Sequence, residues 1–170
     1  MTKTLPVLAL AAGSLALSAC ASKAPKELPP QPGPSTTTST NDGSLGAVVP
    51  GSQADFIAKM MGDDTIYFDT DRFNIDSADA AALAKQAGFL GQYSAKRITI
   101  EGHADERGTR DYNLALGERR ANAAKNYLVS LGIDAGRITT VSYGKERPVA
   151  LGSNEDAWAQ NRRAVTVVID

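Results

Sequence analysis

A strand, a polar turn and a long helix follow one another between residues 97 and 131, and this run fixes most of what the chain can become. Arg97-Ile98-Thr99-Ile100-Glu101 alternates polar and apolar residues, the pattern of a half-buried strand. Gly102 to Thr109 is a turn punctuated by Gly102 and Gly108, and the Thr109 hydroxyl is placed to cap the helix that follows. At about 100° per residue, Asn113, Leu116, Ala124, Tyr127 and Leu131 fall within about 40° of Arg120, whereas Arg119 points about 100° away into solvent. A guanidinium therefore stands in the middle of an otherwise apolar stripe.

A cation in a core stripe requires an anionic or hydrogen-bonding partner. Asp105, in the turn that opens the helix, is the natural candidate. Two readings follow from that placement. One is a structural ion pair tying turn to helix. The other is a small pocket in which Asp105, Arg120, Asn113 and the free N–H groups of the helix start receive a ligand bearing both an ammonium and a carboxylate.

The flanking chain limits where this unit can fold. Met1 to Ala19 has the form of an export signal: Lys3 in a short basic start, an apolar Leu5–Leu17 segment, then small residues. It is too short to span a membrane as a helix. Leu17-Ser18-Ala19-Cys20 resembles the bacterial lipobox, and Cys20 is the single cysteine of the 170-residue chain. That resemblance implies cleavage before Cys20 and its lipidation; the plainer alternative is a secretory signal with an unrelated cysteine. Residues 20–50 then form a tether. Residues 21–50 hold six of the eight prolines, a Ser/Thr run at 35–40 and no aromatic residue, a composition that cannot bury enough surface to order itself. Thirty such residues reach up to ~100 Å when stretched and roughly 30 Å on average. The folded domain is expected over 51–170.

Within that domain the pattern predicts a short helix at 53–61, a strand at 64–69 with Ile66 and Phe68 on one face, and a helix from an Asp76 or Ser77 cap to about Tyr93. The strand at 97–102 and the long helix come next, with Gly132 as its stop. A strand at 137–142, a loop containing a short helix near 155–160, and a last strand at 164–169 follow. Val165, Val167 and Ile169 share one face of that last strand and Val168 lies on the other, which predicts cover on both sides. The order β-α-β-α-β-β implies an α+β domain with one sheet and helices packed on one face.

Composition narrows the function. Residues 51–170 carry 15 Lys plus Arg against 17 Asp plus Glu, which argues against nucleic acid as a partner. There is one histidine, His103. A zinc site asks for several His or Cys ligands at set spacing, and no serine sits in a nucleophile elbow. Neither catalysis, a metal nor a cofactor is expected, and His103 is read as a groove or surface residue that hydrogen-bonds in the turn.

Several longer motifs resemble one family. Glu101-Gly102-His103-Ala104-Asp105-Glu106-Arg107-Gly108-Thr109, Tyr112-Asn113, Leu116-Gly117-Glu118-Arg119-Arg120-Ala121, Val141-Ser142-Tyr143-Gly144-Lys145-Glu146, Pro148 and Asn161-Arg162-Arg163-Ala164 are similar to the OmpA-like domain, over roughly residues 62–170. Arg110 departs from the pattern, since many relatives carry Pro there. The resemblance implies an OmpA-like sandwich with a mixed sheet, and non-covalent binding of peptidoglycan through the diaminopimelate of its stem peptides. It implies a site made of Asp105, Arg120 and Asn113, with Phe68, Asp69 and Arg162 lining the groove. For lipid-anchored members it further implies attachment to outer-membrane lipid through Cys20, a domain in the periplasm, and TolB and other Tol proteins as partners in envelope integrity and division. Ala21, which is not Asp, fits outer-membrane sorting as it works in enteric bacteria. The alternative is an OmpA-like lipoprotein that anchors a surface-assembly or secretion system to the wall.

Overall fold

The computed structural model describes residues 48–169. The export signal, Cys20 and most of the tether lie outside the described residues.

Among the described residues, four α-helices and four strands follow in the order α1 (Gln53–Met60), β1 (Thr65–Tyr67), α2 (Ser77–Gln92), β2 (Arg97–His103), α3 (Arg110–Ser130), β3 (Ile138–Gly144), α4 (Glu155–Asn161) and β4 (Arg163–Ile169). Each helix begins on a polar cap. Ser52, Asp76, Thr109 and Asn154 accept the backbone N–H groups of Asp55, Asp79, Tyr112 and Ala157, satisfying donors that a helix start leaves open. Asp76, rather than Ser77, is the cap of α2. Gly132, at φ 94°, follows α3 and ends it.

The strands form one mixed sheet in the order β1-β4-β2-β3, with β2 and β3 parallel and the other two pairings antiparallel. The parallel pair is joined through α3, as a parallel connection requires. Ile98, Ile100 and Gly102 of β2 lie in register with Val168, Thr166 and Ala164 of β4 and face the helices. Phe56, Leu83, Phe89, Leu90, Ala124 and Leu128 close the core over them. Thr166 is a polar member of that face, and its hydroxyl donates to Gln86 Oε1 at 2.8 Å.

Two expectations about faces need correction. Leu131 is 43% exposed, whereas Tyr127 is half-buried and packs against the core as expected. The buried stripe of α3 runs through Asn113, Leu116, Gly117, Arg120, Ala121, Ala124 and Leu128, because the helix tightens and ends at Leu131. On β4 the outer face is not sealed: Val165 and Val167 are half-buried and Ile169 is 49% exposed, since the described helices cover the other face.

The position of α3 is set by a close approach of two backbones. A Cβ on Gly102 would stand 1.8 Å from the Gly117 carbonyl oxygen, and one on Gly117 would stand 2.4 Å from Ser142 Oγ. Ser142 Oγ in turn donates to the Leu114 carbonyl at 2.7 Å. The helix thus lies directly on β2 and β3, and its first turn is held beside the end of β2. Gly102→Ala is expected to cost about 3 kcal/mol, since the clash is with backbone, and to lower Tm by roughly 10 °C. Gly88→Ala, where the added methyl meets nothing within 4 Å inside α2, is expected to raise stability by about 0.5–1 kcal/mol. Thermal melts of the two variants beside wild type check both.

Candidate functional site

Beyond the end of β2 the chain turns, and the Ala104 N–H donates to the Gly144 carbonyl at 2.8 Å. This keeps the turn against β3 and directs Asp105 inward, where it is 7% exposed. Its Oδ1 accepts from the Arg107 N–H at 3.0 Å and from Arg107 Nε at 3.1 Å; its Oδ2 accepts from Arg107 Nη2 at 2.7 Å. Arg162 Nη1 stands 3.6 Å from the same Oδ2. Burial by itself pushes the Asp105 carboxyl up, but the Arg107 hydrogen bonds and the charges of Arg107 and Arg162 outweigh it and hold the group below its ordinary value. Asp105 is ionised at neutral pH.

Arg120 does not pair with Asp105, as helical geometry alone suggested. It is fully buried, and its Nε, Nη1 and Nη2 donate to the carbonyls of Arg72 (2.9 Å), His103 (2.8 Å) and Asp69 (3.1 Å). The Phe68 ring lies 5.2 Å from its guanidinium carbon. Burial pushes its pKa down to about 10, partly countered by the Asp105 charge, so it keeps its charge at neutral pH. Asp105 found a nearer cation two residues along the turn, while the end of β2 and the loop after β1 present carbonyls to Arg120. Arg119 is exposed, as expected, and lies near Phe73 and Tyr112.

Five of the six residues expected to form the site divide between two cavities. Asp105 and Asn113 line one of about 250 Å³, together with Thr70, Asp71, Arg107 and Tyr112. Phe68, Asp69 and Arg162 line a second of about 350 Å³. Arg120 lines neither and underlies the residues around both. Asn113 Nδ2 donates to the Arg107 carbonyl at 2.7 Å, and so shapes the turn that carries Asp105.

Arg107 is the site residue that sequence reasoning passed over. Its guanidinium covers Asp105, donates to Thr70 Oγ1 at 3.2 Å and stacks on the Trp158 ring at 4.1 Å. Trp158 Nε1 donates to Glu106 Oε1 at 3.0 Å, and the Tyr112 hydroxyl donates to Asp71 Oδ1. Asp71, at φ 59°, is one of two non-glycine residues with positive φ among the described residues. The loop after β1 is thus latched from three sides, by Arg120, Arg107 and Tyr112.

His103 is corrected as well. It is 2% exposed, neither ring nitrogen has a hydrogen-bond partner, and it packs on Tyr143 with ring centroids 5.6 Å apart. Burial first, then the charges of Arg163 and Arg147, pull its pKa down to about 4. It is a neutral core residue and makes no hydrogen bond in the turn. Among the described residues no helix is long and apolar enough to cross a membrane.

With this geometry in hand, the chain compares closely with known proteins. Residues 67–162 match the OmpA family. The chain is 50% identical over 168 residues to the peptidoglycan-associated lipoprotein of Rhizobium meliloti, a match covering 96% of this chain and 87% of that one. It is 48% identical over 155 residues to the peptidoglycan-associated lipoprotein of Agrobacterium fabrum, covering 91% and 82%. The crystal structure of the peptidoglycan-associated lipoprotein from Burkholderia pseudomallei superposes with a TM-score of 0.60 at 45% identity, covering 62% of this chain and 89% of that one. The chain belongs to the OmpA family and, within it, to the peptidoglycan-associated lipoproteins. It is a structural binding protein and not an enzyme.

The buried neutral His103 makes a pH prediction. Its folded pKa of about 4 lies below its unfolded value of 6.5, so the unfolded chain takes up a proton first as pH falls. Stability is present above pH 6.5 and is lost between 6.5 and 4, by about 2 kcal/mol between pH 7 and pH 5. His103→Phe is expected to flatten that part of the profile, which denaturant unfolding at the two pH values measures.

Proposed function

We propose that this protein ties the outer membrane to the cell wall by binding diaminopimelate-type stem peptides without cleaving them. The observation that carries the reading is Asp105: a buried carboxylate kept ionised at the mouth of a cavity, covered by the guanidinium of Arg107, which is itself 37% exposed at its side chain. A ligand ammonium replaces that guanidinium at Asp105. Arg120, buried beneath the loop, attracts the ligand carboxylate by its charge while keeping its carbonyl partners, and Asn113 holds the turn in position. Phe68, Asp69 and Arg162 extend the groove beyond. A lysine-type stem lacks the second carboxylate and forfeits its attraction to Arg120, which keeps its three carbonyl partners, so it should bind more weakly.

The rest of the proposal concerns attachment and partners. Cys20 carries the lipid, the signal before it is removed, and the 20–50 tether lets the domain reach the wall from the outer membrane. The relatives are named lipoproteins, which supports that arrangement. TolB and the other Tol proteins are the proposed protein partners, with envelope integrity and constriction at division as the process served.

Two outcomes are expected. Asp105→Ala should weaken sedimentation with diaminopimelate-type sacculi by about 2 kcal/mol, roughly thirtyfold, while Arg119→Ala leaves it near wild type. A folded Asp105→Ala domain that still sediments like wild type would refute the binding role. Arg120→Ala is a poorer test, because three backbone carbonyls lose their donor with it. For the anchor, Cys20→Ser should abolish lipid labelling and move the protein to the soluble periplasmic fraction; membrane retention of that variant would sink the lipoprotein assignment.

A further inference from the structure

The face of the sheet turned away from the helices is only partly covered. Ile98 and Ile100 point into the core, so Arg97, Thr99 and Glu101 of β2 point to the other side, as strand alternation requires. In register beside them stand Ile169, Val167 and Val165 of β4. One end of this face is closed. Arg147 lies over the Tyr143 ring at 3.7 Å, and its carbonyl accepts from Arg163 Nη2 at 3.2 Å. The loop after β3 therefore roofs Arg163 and His103, which are 5% and 2% exposed. The three rows beyond them are open: Ile169 and Arg97 are exposed, and Thr99, Glu101, Val165 and Val167 are half-buried.

Open β-branched side chains on a sheet face favour contact with another surface, and the charges on this face have a pattern that selects one. Arg97 and Glu101 lie on the same strand with Thr99 midway between them. Among the described residues Arg97 has no ion-pair partner, and Glu101 has none but the neutral His103 ring, 3.7 Å from its Oε2; the buried Arg163 attracts it at longer range. A two-fold axis crossing the strands at Thr99 turns a second copy face to face with the first. It sets Arg97 of each copy opposite Glu101 of the other, Val165 opposite Ile169, and Val167 opposite Val167. Stacked sheets stand about 10 Å apart, a gap that an arginine and a glutamate bridge from opposite sides. An axis along the strands instead sets Arg97 against the apolar Ile169. The face is thus self-complementary in the one sense that closes a dimer.

We propose that the open part of the outer sheet face is a self-association surface whose partner is a second copy of this chain, paired about Thr99 through reciprocal Arg97–Glu101 contacts. The three open rows cover far less than the ~800 Å² per partner of a standard interface, so the pair is transient rather than obligate. Chains anchored on one membrane, as proposed above, meet at raised effective concentration; the contact itself does not depend on the anchor. Asp105 lies two residues beyond His103, past the roofed end, so pairing leaves the wall site open.

The test uses the full chain in detergent, carrying Thr99→Cys, with a short bis-maleimide cross-linker and sedimentation velocity. Wild type, whose single cysteine is Cys20, is the blank. Cross-linked dimer is expected from Thr99→Cys and not from Glu118→Cys, an exposed position on α3, which covers the opposite face. Arg97→Glu added to the Thr99→Cys chain changes an exposed residue and should lower the dimer yield at least fivefold without lowering Tm. Adding Glu101→Arg as well should restore it, which a change in stability of one copy cannot do. Sedimentation without the cross-linker should rank the variants in the same order. No dimer above the blank, equal yield from Glu118→Cys, a yield indifferent to Arg97→Glu, or a folded double swap that restores nothing would each overturn the pairing. Failure of the anchor reading would appear elsewhere, as lipid labelling that survives Cys20→Ser while Thr99→Cys still cross-links.

Discussion

The guanidinium of Arg120 is the joint on which both cavities hang. It draws three carbonyls from two separate segments toward one side chain of α3: Asp69 and Arg72 from the loop after β1, and His103 from the end of β2. A fully buried cation is expensive to desolvate, and removing such a group's partners typically costs several kcal/mol. Here the carbonyl dipoles and the nearby Asp105 charge offset that cost. The geometry follows from it. Asp69 reaches one cavity and Asp105, two residues past His103, reaches the other, so neither wall can shift far without disturbing Arg120. The close seating of α3 on β2 through Gly102 and Gly117 is what brings Arg120 within reach of those carbonyls.

Around this joint the charges are arranged as a chain of exchangeable contacts. Arg107 holds Asp105 in a fork, and Arg162 backs the same carboxylate while donating to the Phe68 carbonyl and to Glu155. Arg107 is the half-exposed member and Arg162 the buried one. Their side chains are 37% and 7% exposed, so of the two cations beside Asp105 only Arg107 meets solvent, and both favour the ionised carboxylate.

The sequence carried some of this openly. Helical arithmetic puts Asn113, Leu116 and Arg120 on one face of α3, and all three are buried; Thr109 caps that helix because its hydroxyl stands at the required position. Strand alternation likewise identifies Ile98 and Ile100 as core residues. Periodicity says nothing about partners, however. It names the cation in the stripe but not the three carbonyls that meet it, since those come from residues 17 to 51 positions away. Arg107 was invisible for another reason: a contact between residues two apart in a turn belongs to no helix or strand period.

The titration properties of these groups also decide what kind of chemistry the Asp105 site supports. General acid–base catalysis works best with a group whose pKa lies near the working pH. Asp105 is held below its ordinary value, Arg120 is at about 10, and His103 is at about 4 with no hydrogen-bond partner for either ring nitrogen. Each is fixed in one protonation state at neutral pH. Such groups do not shuttle protons; they present constant charge of known sign at constant positions. A carboxylate and guanidiniums of constant charge suit the zwitterion recognition proposed above better than they suit proton transfer.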